Sequence, residues 1–215
     1  MANAKLITLT DPRSSAAEAF RTLRTNLIFS GVERTLTTLV ITSAKNDDDK
    51  SETIANLAVT FAQSGSKTIL VDGDLRNPAQ HTVWGVKNDR GLTTMMLEPE
   101  AMANPPLVQT EVENLALLPS GALPPVPSDL FSSQRMSEVL GVLKARANYV
   151  IFDAPPVLSA SDAALLASRL DGILLVVKTG STRRDQVARA RDELNRIHAR
   201  LLGAVLTNAS RADMR

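Results

Sequence analysis

Leu36-Thr37-Thr38-Leu39-Val40-Ile41-Thr42-Ser43, followed by Ala44-Lys45-Asn46-Asp47-Asp48-Asp49-Lys50-Ser51, is the stretch that decides the fold. Leu36 to Thr42 is a short apolar and β-branched run, the composition of a buried strand. From Ser51 to Gln63 the residues Ile54, Leu57, Ala58 and Phe61 recur at helical spacing, and Gly65 ends that helix. Strand, loop and helix in this order open a βα unit. The loop between them stands where a GxxxxGK[ST] phosphate-binding loop belongs, and Lys50 and Ser51 fit its last two places. In those places the lysine reaches the outer phosphates of a nucleotide, the hydroxyl ligates Mg²⁺, and successive backbone N–H groups at the helix start cradle the anion.

Working outward, the same alternation of strand and helix continues. Further strands are expected at Lys67 to Val71, Asn114 to Leu118, Tyr149 to Phe152, Gly172 to Val177 and Leu202 to Leu206. Helices are expected near Asp162 to Arg169 and Arg183 to Arg200, with one starting near Ser128 after a proline-rich turn. Six strands of this kind make one α/β domain over residues 1–215, with a three-layer, doubly wound, mostly parallel sheet of the P-loop NTPase type. Ahead of the first strand, Ser14 to Phe29 places Ala17, Phe20, Leu23, Leu27 and Ile28 on an apolar stripe, which reads as an amphipathic helix. Residues 98–112, rich in Glu, Pro, Ala and Asn, read as a surface loop.

Composition narrows the function. The chain has 215 residues with a formal net charge of +1, which gives no global attraction to nucleic acid or acidic lipid. Its longest apolar runs fall far short of the roughly 20 residues of a membrane span, so the expectation is a cytoplasmic chain without a direct membrane span. Absence of cysteine excludes thiolate metal sites, and the two histidines, His81 and His198, lie far apart in sequence.

Ligands of open parallel sheets collect at the carboxyl ends of strands. Two such ends after the first carry aspartates: Ile69-Leu70-Val71-Asp72-Gly73-Asp74-Leu75-Arg76 and Tyr149-Val150-Ile151-Phe152-Asp153-Ala154-Pro155. Hard oxygen ligands of this kind suit Mg²⁺, held directly or through its waters beside phosphates. Aspartates in these places also cap turns for purely structural reasons.

On these residues the sequence resembles the bacterial tyrosine kinases of capsule and exopolysaccharide synthesis, within the ParA/MinD group of P-loop ATPases. The resemblance runs from Leu6 to Asn208 and includes Glu18-Ala19-Phe20-Arg21-Thr22-Leu23-Arg24 and Leu118-Pro119-Ser120-Gly121 leading into Pro124-Pro125-Val126-Pro127. It implies Mg-ATP or Mg-ADP as cofactor, with Lys50 and Ser51 in the Walker A motif, Asp72 and Asp74 in Walker A′ and Asp153 in Walker B. It further implies catalytic roles for Lys50, Asp72 and Asp74, a metal set of Ser51, Asp72, Asp74 and Asp153, and an adenine contact at Asn208. Glu18, Arg21 and Arg24 become the ExxRxxR motif that joins subunits into a homo-oligomer, and the implied partner is a membrane activator or a polysaccharide export protein.

Two departures set the chain apart. Family members carry glycine where this chain has Asp47 and Asp49, and proline where it has Asn46, so Asn46, Asp47, Asp48 and Asp49 form a disrupted, acidic loop. Aspartate tolerates a left-handed backbone better than most residues, so the geometry can survive. The charge is the harder problem: two unit charges about 4 Å apart repel by about 4 kcal/mol at an effective dielectric near 20, while micromolar binding totals about 8 kcal/mol. The second departure is the phosphoacceptor. The last eight residues, Asn208 to Arg215, hold no tyrosine, and the sole tyrosine, Tyr149, opens a core strand where it is expected to be largely inaccessible. The expectation is a kinase-like scaffold with impaired nucleotide binding; the alternative is an active Mg-ATP-dependent tyrosine kinase or ATPase with an unusual loop.

Overall fold

Residues 6–32, 34–46 and 49–209 are described by a computed structural model. In chain order the elements are α1 (Ile7–Thr10), α2 (Ser15–Ser30), β1 (Thr38–Ser43), α3 (Lys50–Gln63), β2 (Thr68–Asp72), α4 (Gln80–Val83), α5 (Leu92–Leu97), α6 (Glu100–Ala103), β3 (Val108–Gln109), β4 (Leu115–Leu118), α7 (Pro127–Ser132), α8 (Gln134–Lys144), β5 (Tyr149–Asp153), α9 (Asp162–Ala167), β6 (Gly172–Lys178), α10 (Arg184–Arg196) and β7 (Leu201–Thr207). The strands form one sheet in the order β3-β4-β2-β5-β1-β6-β7, parallel except for β3 against β4.

Alternation along the strands feeds two apolar layers. Val40, Ile69, Val71, Val150, Phe152, Ile173 and Leu175 face one side, covered by α5, α8, α9 and α10. Leu39, Ile41, Leu70, Ile151, Leu174 and Val176 face the other, covered chiefly by α3 and α2. Strands buried on both faces read as continuous apolar runs, which is why their existence is plain in the sequence. α3 is buried along Thr53 to Ala62, far more than a one-sided stripe requires, because α2 covers its outer face. Ser14 caps α2, its hydroxyl accepting from the Ala17 N–H at 3.1 Å.

Residues 98–112 depart from the expected loop: they hold α6 and the two-residue β3, which pairs antiparallel with β4. Buried Ala101 anchors α6 to the apolar layer, a contact too short to show as periodicity. The helix expected from Ser128 is two helices, because Ser133 takes an extended conformation (φ −69°, ψ 157°) between them. α9 and α10 end earlier than expected, at Ala167 and Arg196.

At the amino end of the sheet one carboxylate ties two strands together. Asp171 accepts the N–H groups of Thr37 (2.9 Å) and Thr38 (2.8 Å) and the Thr37 hydroxyl (2.9 Å), while its own N–H donates to Thr38 Oγ1 (2.9 Å). Burial pushes the Asp171 carboxyl up, but the hydrogen bonds from Thr37 and Thr38 outweigh it and hold the group below its ordinary value. A depressed carboxyl contributes stability above its unfolded pKa and loses it as pH falls through the folded one. Asp171→Ala is therefore expected to cost about 2 kcal/mol at pH 7, with the deficit shrinking in acid; urea unfolding of both proteins at several pH values measures it.

Candidate functional site

Parallel pairing of β2 with β5 places Asp72 beside Asp153 in register at the carboxyl end of the sheet. Between them Gly73 donates its N–H to the Asp153 carbonyl at 2.8 Å, and a Cβ at Gly73 would stand 2.9 Å from that oxygen. Only glycine lets the two strand tips approach this closely. Asp74 then turns back on its own loop, accepting from the N–H groups of Asn77 (3.0 Å) and Arg76 (3.3 Å). The turn-capping role is thus real, and it coexists with a second one. Lys50, first residue of α3, donates its ammonium to Asp153 Oδ1 and lies 3.5 Å from Asp74 Oδ2.

The site is buried and crowded with charge. Asp72 and Asp153 are inaccessible, and the Lys50 side chain is 10% exposed. Burial pulls the Lys50 ammonium down, yet Asp153, Asp74 and Asp72 together push it above its ordinary value. Burial drives Asp72 well above the carboxylate range, reinforced by Asp153 and opposed by the Gln80 N–H and Lys50. Asp74 is raised for the same first reason, with Lys50 opposing.

Asp49 is left-handed, with φ +52° and ψ 28°, at the position immediately before α3. Its carbonyl accepts from the Thr53 N–H (3.0 Å) and hydroxyl (2.8 Å), and its carboxylate meets Lys178, at the end of β6, at 2.9 Å. The Asp49 charge is therefore partnered by a cation. Asn46 is exposed; Asp47 and Asp48 lie outside the described residues. Lys45 donates to the Ser181 hydroxyl at 3.2 Å.

Asn208 follows β7 with φ +53°, its amide 3.4 Å from the Thr179 carbonyl, so it stands at the same end of the sheet as Lys178. Glu18, Arg21 and Arg24 lie away from this cluster on α2. Glu18 and Arg21 pair at 2.8 Å, and Arg21 also donates to the Pro12 carbonyl. Arg24 is used inside the chain, donating to the Thr60 carbonyl at 2.8 Å. Tyr149 is half-buried rather than inaccessible: its ring packs 4.5 Å from that of Phe61, and it lines a cleft of about 560 Å³ at the amino end of the sheet with Leu36 and Asn148.

The AAA domain family matches residues 36–201. Tyrosine-protein kinase YwqD of Bacillus subtilis is 41% identical over 201 residues, covering 94% of this chain and 84% of the relative. The chain belongs to the bacterial tyrosine-protein kinase family. The kinase domain of Escherichia coli tyrosine kinase ETK superposes with a TM-score of 0.91 at 30% identity, over 99% of this chain and 83% of that one. MinD of Pyrococcus horikoshii, complexed with Mg-ADP, shares the fold at TM-score 0.67 and 23% identity, over 83% and 74%.

Two observations bear on how this bacterial tyrosine kinase domain would take Mg²⁺. Asp72 Oδ1 is buried with no hydrogen-bond partner, and the Ser51 hydroxyl has none among the described residues. Free oxygens beside a phosphate loop fit an ion that keeps most of its waters. Among the described residues no three acidic or histidine side chains are arranged to hold a metal by themselves, so the expected set of Ser51, Asp72, Asp74 and Asp153 would hold the ion with the help of water and phosphate. Bound there it would neutralise phosphate charge.

Gln80 and Arg76 carry no motif signal and escaped the sequence reading. Gln80 is fully buried in the site; Arg76 makes a two-pronged ion pair with buried Asp162 at 2.8 and 3.2 Å. A composition-based reading has no means of singling out either.

Because the folded state raises the pKa of Asp72, that group favours folding in its protonated form and opposes it increasingly as pH rises. Asp72→Asn is expected to raise the stability of the ligand-free protein at pH 7 by on the order of 1 kcal/mol, with the advantage narrowing as pH falls. Thermal unfolding from pH 5 to 8 reads both.

Proposed function

We propose that this chain is a tyrosine-kinase-like domain of exopolysaccharide synthesis or export that acts as a scaffold, with nucleotide binding impaired by its loop. The observation that carries the reading is Asp49. It holds the left-handed backbone that the glycine of related loops supplies, and adds a carboxylate where phosphate must approach. Lys178 offsets part of that charge but cannot remove it, since the pair is solvent-exposed and such pairs are worth about 0–1 kcal/mol. The lysine meant for phosphate is also engaged on Asp153 and Asp74.

The second reading, an active Mg-ATP-dependent kinase or ATPase, draws on the gathering of Lys50, Asp72, Asp74 and Asp153 at one end of the sheet. In that reading Lys50 and Mg²⁺ neutralise the phosphates, Asp74 helps activate the attacking hydroxyl, and Asn208 contacts the base. Calorimetric titration with Mg-ADP separates the two. The parent is expected to bind weakly or not at all, and Asp47→Gly with Asp49→Gly to tighten binding about a hundredfold or more, since about 3 kcal/mol of repulsion is removed at 1.4 kcal/mol per decade. Lys50→Ala in the double-glycine background should abolish the gain. Micromolar binding by the parent would hand the conclusion to the enzyme reading.

The partners proposed are a second copy of the chain and a membrane activator or export protein. No helix among the described residues is long and apolar enough to cross a membrane; attachment at the inner face of the membrane would come through that partner or through a segment upstream of the given residues. The exposed Glu18–Arg21 pair on α2 supports the homo-oligomer, whereas Arg24 donates to the Thr60 carbonyl of α3 inside the same chain. Light scattering across a concentration series should show a mass that rises with concentration and falls to the monomer in Arg21→Ala. A parent that stays monomeric at the highest concentration sinks this part.

A further inference from the structure

Gln80 is inaccessible to solvent and spends every donor it has on the candidate site. Its side-chain amide donates to the Ser51 carbonyl at 3.0 Å and to Asp153 Oδ2 at 2.8 Å, and its backbone N–H donates to Asp72 Oδ2 at 2.9 Å. One residue thereby touches the first turn of α3, the tip of β5 and the tip of β2. The pattern on the two carboxylates is the same. Each gives its Oδ2 to Gln80 and keeps its Oδ1, which on Asp153 receives Lys50 and on Asp72 is buried without a partner. Gln80 Oε1 is likewise buried and unpartnered. A protein that leaves such acceptors empty forgoes hydrogen bonds that folding alone would favour.

We propose that Gln80 is a positioning residue that sets the rotation of the Asp72 and Asp153 carboxyl groups, so that one oxygen of each stays available to Lys50 and to the water shell of nucleotide-bound Mg²⁺. The role rests on reading this site as a nucleotide site. The chemistry explains the residue type. The position needs two neutral N–H donors at the end of a two-methylene arm: glutamate would add a fourth carboxylate to Asp72, Asp74 and Asp153, and asparagine is one methylene short. Partners directly behind a metal's ligands are worth about 10–100-fold in metal affinity, and carboxylates that meet the ion through its waters belong at the lower end of that range.

Two measurements test the proposal. Gln80→Glu keeps the shape and removes the amide protons, so at pH 7 it should lower the unfolding temperature of the ligand-free protein by about 5 °C or more. Most of that loss should return in the Asp153→Asn background, where the new amide donates to Glu. No loss, or an equal loss in both backgrounds, overturns the contact with Asp153. Gln80→Met fills similar volume without donors and serves where the charged variant fails to fold. ADP is then titrated with and without Mg²⁺, in the parent and with Asp47→Gly and Asp49→Gly. Gln80→Met should cut the Mg²⁺-dependent gain in ADP affinity about tenfold or more and leave Mg²⁺-free affinity within about twofold. Equal losses in both conditions mean a merely structural role and defeat the proposal. If no background binds ADP, the nucleotide reading falls and the metal role with it, while the unfolding cycle still decides whether Gln80 holds Asp153.

Discussion

One buried ammonium makes the carboxyl end of this sheet possible. Parallel neighbours lie about 4.8 Å apart, and carboxylates at that spacing repel by about 3–4 kcal/mol at an effective dielectric near 20. β2 and β5 end on such a pair, Asp72 and Asp153, both out of contact with water, and Asp74 follows two residues on. Lys50 stands among the three because α3 begins at that residue and directs its first turn at the strand tips. The same lysine ends the loop that stands in the place of a phosphate-binding GxxxxGK[ST] loop in the sequence. In the ligand-free chain it serves the protein, and a polyanion must draw it away from Asp153.

The loop ahead of Lys50 separates two requirements that glycine normally meets together. Backbone shape survives the replacement, since Asp49 adopts the left-handed conformation at a cost on the order of 1 kcal/mol. Charge does not, because the carboxylate stays beside the loop and Lys178, from the end of a different strand, offsets it only in part. Phosphate binding would therefore compete at two ion pairs instead of arriving at an open cradle of N–H groups.

The architecture was legible because strands buried on both faces announce themselves, and because Lys50, Asp72, Asp74 and Asp153 all follow apolar runs or open a periodic helix. What escaped was local. β3 has two residues and α6 four, too few for any period, and the break at Ser133 depends on a single backbone angle. In the site, Gln80 escaped for a different reason: its importance lies in being buried against three separate segments, and burial of a polar side chain outside a strand is invisible to patterning. Tyr149 belongs to a strand that is otherwise core, but as the strand's first residue it lies at the rim, where a cleft opens beside it.

The two ends of the sheet hold carboxylates in opposite circumstances. Asp171 and Asp72 are the same chemical group at the ends of parallel strands. Asp171 receives the N–H groups and a hydroxyl of Thr37 and Thr38, which hold it ionised and turn it into a clamp between β1 and β6. Asp72 receives one N–H, keeps one oxygen bare, and is pushed toward its neutral form. Burying an acid with half its acceptors unmet lowers stability, and the folded chain retains it beside a lysine and a second buried acid. Such an arrangement makes physical sense when the missing donor or cation arrives from outside the protein, and the carboxyl end of the sheet, with Ser51 and Lys50 facing it, is where an ion and a phosphate would enter together.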